Sequence, residues 1–229
     1  MLPVFGYGSR VTHAAVRADA VRNRDGLIAA ARAVFGERGL DAPLDEIARR
    51  ADLGNATLYR HFPSRCALVA AVFAQALGDV VAAAEQSLAE PDPWAGFAGH
   101  LRTLCSLQAS DRAVADLLTA TISGAPELEG LRARSLDVTT GLIARAQDAG
   151  VLRPDFRHED VVLILMANAG LLERTGPAGC QAWQRHLDYV LDGLRRTGDG
   201  TRDASPSPGP EAVLAAMERA AHRFGVAHG

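Results

Sequence analysis

Side chains that can recognise another molecule through hydrogen bonds are concentrated in one short segment, residues 55–65. The candidate contact residues of this segment are Asn55, Ala56, Thr57, Tyr59, Arg60, His61 and Arg65. Hydroxyl, imidazole and guanidinium groups donate hydrogen bonds to phosphate oxygens, and amide and guanidinium groups also pair with base edges. The chemistry that this segment favours is therefore recognition of a nucleic acid.

The pattern around this segment predicts the helices that must position it. A helix over residues 21–38 ends before Gly39, and two short helices follow over 43–51 and 55–61, joined by a turn. We expect one buried set to hold the two short helices, namely Leu44, Ile47, Ala48, Leu53, Leu58 and Phe62. This is a helix-turn-helix arrangement, whose second helix projects far enough to enter a major groove about 12 Å wide.

The rest of the chain is also predicted to be helical. Aromatic residues are only 5% of the 229 residues and Ala dominates the apolar share, which favours helices over sheets. Further helices are predicted over 64–90, 94–109, 111–123, 126–149, 158–174, 179–197 and 211–225. Residues 1–20 are expected to be a flexible basic arm and 198–210 a linker. The predicted fold is all-α, with a long helix joining an N-terminal three-helix domain to a C-terminal helical bundle.

The charge of the chain is unevenly distributed. All 24 basic residues are Arg, and with 27 acidic residues they give a net charge of -3, which excludes a uniformly basic coat protein. Residues 1–66 carry 10 Arg and 7 acidic residues, a balance of +3, whereas residues 67–229 carry a balance of -6. The N-terminal part is therefore suited to meet an anionic partner that the remainder avoids.

Signals of enzymatic chemistry, cofactor binding and membrane insertion are missing from the sequence. The segment 158–162 lacks the second His of a helical zinc protease site, and without Lys the chain has no P-loop. Cys66, Cys105 and Cys180 are too widely spaced for a CxxC metal pair. We therefore predict no enzyme activity, no metal and no cofactor. The apolar run 161–167 is too short to cross a bilayer, and we expect a cytoplasmic location with no membrane partner.

The N-terminal third resembles the TetR family of transcriptional regulators over residues 21–75. The family's long first helix ends in Phe-x-x-x-Gly, here Phe35 to Gly39, and an Ile-Ala pair follows, here Ile47-Ala48. A Thr-Leu-Tyr-x-His-Phe run spans 57–62, and the basic residue that opens the fourth helix is Arg65. These features match in order and spacing over about 50 residues.

The resemblance implies roles for residues of the segment 55–65. Thr57, Tyr59, His61 and Arg65 would contact phosphates. Asn55, Ala56 and Arg60 lie where base edges could be read, although Arg60 is equally compatible with a solvated salt bridge. Arg10, Arg17, Arg22 and Arg24 could neutralise flanking phosphates or enter a minor groove, although they are equally compatible with a solvated arm. The family pattern is modified at Gly54, Ala56 and Cys66.

For the rest of the chain the resemblance implies that residues 69–197 bind a small-molecule effector and form a homodimer. The apolar pocket candidates are Leu104, Leu107, Leu118, Ile122, Leu142 and Met166, and the interface candidates are Val162, Leu165, Trp183 and Leu187. Polar residues of this region, among them His100, Cys105, Thr119 and Asn168, are expected to be core residues rather than ligand contacts.

Two functions remain open at this point. The first is a ligand-responsive repressor that binds double-stranded DNA as a homodimer on a palindromic operator. The alternative is a small-molecule-binding helical protein whose DNA-reading head has degenerated, which the substitutions at Gly54, Ala56 and Cys66 motivate.

Overall fold

The computed structural model describes residues 9–122, 124–176, 181–196 and 205–225. Ten helices lie in these ranges: α1 (Ser9–Arg38), α2 (Leu44–Arg50), α3 (Asn55–His61), α4 (Arg65–Ala89), α5 (Pro93–Ser110), α6 (Arg112–Thr119), α7 (Pro126–Asp148), α8 (His158–Thr175), α9 (Ala182–Leu194) and α10 (Pro210–Arg223). The β-type contact in the described part is an isolated bridge between Leu152 and Arg195. The predicted all-α fold is confirmed, and all helices except the first begin and end within a few residues of the prediction.

The first helix begins at Ser9, so the prediction of a flexible arm is wrong for residues 9–20. Residues 9–24 contain no Pro or Gly and four Ala, a composition that favours helix. Residues 15–19 are all exposed, Val16 among them, so this described stretch extends the helix without burying an apolar face. Once a helix is nucleated, each further residue adds a hydrogen bond, and burial is not needed. For this reason the pattern of apolar residues did not predict a helix in this segment.

Several sequence features fall partly or wholly on residues outside the described part. They are residues 1–8 of the predicted arm, Cys180, positions 198–204 of the predicted linker, and the ends of the predicted helices 111–123 and 179–197. Residues 205–209 of that linker are described and carry no regular secondary structure, and α10 follows as predicted.

Two turns of the N-terminal domain depend on residues with positive φ. Gly39 has φ +87° and its N–H donates to the carbonyl oxygen of Phe35 at 2.7 Å, which ends α1. A Cβ at position 39 would lie 2.6 Å from Asp116 Oδ2, so close packing also favours Gly there. Asp52 has φ 55° in the turn between α2 and α3, a conformation that Asp tolerates better than most residues. The turn therefore forms with Asp52, and not a glycine, at the position of positive φ.

The long helix α4 connects the N-terminal domain to the C-terminal helices. Ser64 caps it, with Oγ accepting from the N–H of Ala67 at 3.1 Å. With a mean hydropathy of 1.9, α4 is long and apolar enough to cross a membrane by length and composition. Its apolar residues pack instead against α1, α5 and α7, and Leu68 and Phe73 are fully buried. This packing explains the composition of α4 as that of a core helix.

Candidate nucleic-acid interface

The helices α1 to α3, called the head below, are held together by the buried set that the sequence predicts. Ile47, Ala48, Leu58 and Phe62 are buried, while Leu44 and Leu53 are half-buried against the same core. Ion pairs on the surface add a second link between α1 and α2. Arg50 Nη1 donates to Glu37 Oε2 at 2.8 Å, and Arg38 pairs with Glu46. The head is therefore a rigid support for α3.

The outward face of α3 carries the residues predicted to read DNA. Asn55, Ala56, Tyr59 and Arg60 are exposed, and the Tyr59 side chain is 53% accessible to solvent. Thr57 is half-buried at the edge of the same face. This arrangement follows from the helical period, because Leu58 and Phe62 take the inward positions.

His61 lies at the end of α3, where its ring is partly covered. The centroid of the His61 ring lies 6.4 Å from that of the Phe62 ring. The guanidinium of Arg24 stacks over the Phe62 ring, with its Cζ 5.3 Å from the ring centroid. Within the described part of the chain, the buried Nε2 of His61 has no hydrogen-bond partner. A buried polar nitrogen without a partner costs free energy, so a phosphate or water at this position would stabilise it.

The side chain of Arg65 is half-buried, and its guanidinium binds the protein's own backbone. Its Nη1 donates to the carbonyl oxygens of Leu40 and Ala42, both at 2.7 Å, and burial lowers the pKa of the guanidinium. Arg65 therefore fixes the turn between α1 and α2. Sequence reasoning missed this role because the acceptors are backbone carbonyls, which carry no side-chain signature.

The same turn is also held from the C-terminal helices. Asp116, on α6, accepts a hydrogen bond from the N–H of Leu40 at 2.8 Å. Burial raises the pKa of this carboxyl to about 6, while the Leu40 hydrogen bond and the charges of Arg112 and Arg223 act in the opposite direction. Asp116 is a direct polar link between the head and the C-terminal helices.

The arginines predicted to approach flanking DNA lie along α1. Arg24 is the residue stacked on Phe62, and Arg22 pairs with Asp19 one turn away on the surface. Arg17 is exposed, and the side chain of Arg10 lies outside the described residues. An open concavity of about 550 Å³ lies beside α3, lined by Asp45, Arg49, Asp52, Leu53, Gly54 and Asn55.

The predicted pocket residues are not brought to a single surface in this structure. Leu104 and Ile122 are buried in the main core, and Leu107 and Leu118 are half-buried against it. Leu142 belongs to a separate small cluster with Ala84. Met166 is half-buried on α8. The effector role of these six side chains therefore stays a prediction.

The four predicted interface residues face the interior of their own chain. Val162, Leu165, Trp183 and Leu187 are all buried before any partner is added. The helical period places them on the inner faces of α8 and α9, which corrects their assignment to a subunit interface. The outer faces of these helices carry Leu163, 41% exposed, and Tyr189, 60% exposed.

A cluster of buried polar side chains lies between α5 and α8, inside the core as expected for Asn168. Gln108 Nε2 donates to the Leu165 carbonyl at 3.2 Å, and Asn168 Nδ2 donates to Gln108 Oε1 at 2.8 Å. The second acceptor of Asn168 Nδ2 is the Cys105 carbonyl at 3.4 Å. These acceptors fix the orientation of the amide, and in the described chain the Asn168 Oδ1 has no donor.

A second buried polar contact joins α5 to α7. His100 Nε2 lies 3.1 Å from Thr139 Oγ1, and both side chains are buried. Burial, with a smaller contribution from the charge of His158, lowers the pKa of His100 to about 4, so this imidazole is neutral at neutral pH. The interior of the C-terminal helices therefore contains two separate buried polar contacts.

The fold and this surface define a helix-turn-helix protein with a separate helical domain. Residues 27–72 match the profile of bacterial regulatory proteins of the tetR family, and residues 92–196 match the C-terminal domain of SbtR-like transcriptional regulators. The chain is 35% identical to a TetR transcriptional regulator from Streptomyces coelicolor, covering 76% of this chain and 99% of that one, with a TM-score of 0.47. The chain belongs to the TetR family of transcriptional regulators.

Further comparisons agree with this family. A TetR regulatory protein from Mycobacterium vanbaalenii is 32% identical, covering 79% of this chain and 99% of that one, with a TM-score of 0.45. A ketosteroid transcriptional regulator from Mycobacterium tuberculosis shares the fold, with 21% identity, 76% and 95% coverage and a TM-score of 0.54. No curated protein sequence matches the chain. Regulators of this family bind DNA and small molecules and are generally not enzymes.

The substitution Arg65→Ala should destabilise the fold, because the carbonyls of Leu40 and Ala42 lose their common donor. We expect a loss of about 2 kcal/mol in the free energy of unfolding, measured by urea denaturation. The matched control is Arg60→Ala, which removes an exposed guanidinium from α3 and should change stability by less than about 0.5 kcal/mol. Equal stability of the two variants would contradict the structural role of Arg65.

The substitution Asp116→Asn should change how stability depends on pH. The pKa of about 6 lies above the ordinary value of 3.8, so the native state holds this proton more tightly than the unfolded state. Wild-type stability should therefore fall, relative to the variant, as pH rises from about 4 to 6, by up to about 3 kcal/mol. Urea denaturation at pH 4.5, 5.5 and 7 measures this difference, and a constant difference would contradict it.

Proposed function

We propose that this protein is a ligand-responsive repressor that binds a palindromic DNA operator as a homodimer in the cytoplasm. The observation that carries this proposal is the outward face of α3, where Asn55, Tyr59 and Arg60 project from a helix anchored by Leu58. A helix presented in this way fits a major groove, with phosphate contacts fixing its position and base contacts giving specificity.

Each contact residue takes a role that follows from its position. Thr57, Tyr59 and His61 donate to phosphates from the edge and end of α3, and the unpartnered Nε2 of His61 supports that role. Asn55, Ala56 and Arg60 lie on the exposed face and read base edges. The guanidinium of Arg65 contributes positive charge while it holds the turn between α1 and α2.

A homodimer is required because one short helix makes few base contacts. Two copies reading half-sites about 34–36 Å apart supply both affinity and specificity. Leu163 and Tyr189 support an interface on the outer faces of α8 and α9, because both are large apolar side chains left exposed on helices that pack against each other. They replace the buried residues Trp183 and Leu187 as interface candidates.

Effector binding is proposed for the interior of the C-terminal helices. The Asn168 side chain, only 1% exposed, leaves its Oδ1 acceptor without a donor, and such a group costs about 1–3 kcal/mol until it is satisfied. An effector with a hydroxyl or amide donor would pair with this oxygen. A coupling free energy of about 1–3 kcal/mol between effector and DNA is enough to change operator occupancy.

Transmission to the head would pass along two elements. The long helix α4 carries Arg65 at one end and packs against α5 and α7 along its length. Helix α6 carries Asp116, which binds Leu40 directly. Because both contacts converge on the turn after α1, a shift of either helix changes the separation of the two heads in a dimer.

Selection from random DNA tests this function and its alternative together. The full-length protein should enrich a palindromic site, and Arg60→Ala should bind that site about 5- to 150-fold more weakly, as expected when a base contact is lost. Arg174→Ala removes the same charge from the exposed end of α8 and should leave affinity unchanged. Failure to enrich any sequence would favour a small-molecule-binding protein with a degenerated head.

The proposed interface is tested by Leu163→Arg. A charge at this position should convert the dimer to a monomer, measured by sedimentation at micromolar concentration, because the buried guanidinium would have no partner. The matched control is Leu136→Arg, since Leu136 on α7 is 43% exposed. A wild-type monomer, or dissociation by both variants alike, would argue against an interface on α8 and α9.

A further inference from the structure

The C-terminal helix α10 lies beyond the regions that define the family. The two family profiles match residues 27–72 and 92–196, whereas α10 spans Pro210–Arg223. Helix α10 therefore lies outside both profile matches, and its contacts indicate what it does.

Helix α10 is attached to neighbouring C-terminal helices along its length. It packs against α6 and α8, with Val213, Ala220 and Ala221 buried. The carbonyl oxygen of Met217 accepts a hydrogen bond from the N–H of Thr121, 3.3 Å away, in the segment that follows α6. The position of α10 is thus fixed by both apolar and backbone contacts.

The end of α10 reaches the place where the head joins the C-terminal helices. The Phe224 ring packs against the main core, and a Cβ built on Gly225 would lie 3.5 Å from Arg65 Nε. Arg223 is close enough to Asp116 to act on it electrostatically. These are the two side chains that hold the turn after α1, because Arg65 binds the Leu40 carbonyl and Asp116 binds the Leu40 N–H.

We propose that residues 210–225 form a strap that positions the head relative to the C-terminal helices by supporting Arg65 and Asp116. The strap lies against Arg65 at Gly225 and carries Arg223, whose charge acts on Asp116, while it is itself attached to α6 and α8. Without the strap, Arg65 and Asp116 would be held less firmly, and the head would sample more orientations relative to the C-terminal helices. On the proposed function, the ordering of the head would then have to occur during DNA binding, which lowers affinity.

The first measurement uses the full-length protein without DNA, so it does not depend on the proposed function. Phe224→Ala removes the apolar contact of the strap with the core. Arg223→Glu reverses a charge that acts on Asp116, at an exposed position where folding is little affected. In both variants the amide of Leu40 should exchange its hydrogen about tenfold faster, because local opening becomes easier. Exchange in the core of α5 should stay unchanged.

Matched controls lie on the same helix. Leu214→Ala truncates an exposed apolar side chain of α10, and Arg219→Glu makes the same charge change one turn before Arg223. Both controls should exchange like the wild type. Unchanged exchange at Leu40 in both test variants would overturn the proposal, and so would an equal increase in α5, which would indicate general destabilisation.

The second measurement is affinity for the selected DNA site by fluorescence anisotropy. Phe224→Ala and Arg223→Glu should weaken binding about tenfold, within the range usual for coupling between sites, and the two controls should not. Faster exchange at Leu40 with unchanged affinity would contradict the positioning role. If the wild type selects no DNA sequence, the proposed function fails, while the exchange experiment still decides whether the strap holds the turn.

Discussion

The turn between α1 and α2 is the constraint on which the arrangement of the two parts depends. Leu40 is held through both of its backbone groups, by Asp116 from α6 and by Arg65 from the start of α4. Buried backbone groups need partners, so this turn cannot move without breaking bonds to two other elements. The orientation of α3 follows, because α2 and α3 continue directly from the turn.

This arrangement explains how a short reading helix gains a defined position. Seven residues of α3 carry too few contacts to fix their own orientation, and the apolar set under them provides local rigidity only. The polar links to α4 and α6 make the head part of a larger structure. A shift of α4 or α6 would therefore reach the head through the hydrogen bonds of Arg65 and Asp116 to Leu40.

The interior of the C-terminal helices combines tight apolar packing with a few buried polar groups. The Gln108–Asn168 pair and the His100–Thr139 contact are satisfied within the chain except at Asn168 Oδ1. An incompletely satisfied polar group in a core reduces stability, and proteins retain such groups where binding requires them. This contrast separates the Asn168 region from the ordinary core around Leu104 and Leu142.

The sequence by itself determined the helices, the helix-turn-helix and the exposed face of α3, because spacing and turn residues act over a few positions. It did not predict that the first helix continues through residues 9–20, since the described side chains of residues 15–19 are exposed and form no buried stripe. Nor did it predict the inward orientation of Trp183 and Leu187. Only the tertiary structure decided that Arg65 binds two carbonyls and that Asp116 binds Leu40. The latter two residues are 76 positions apart, and no local pattern encodes a contact made by the packing of distant helices.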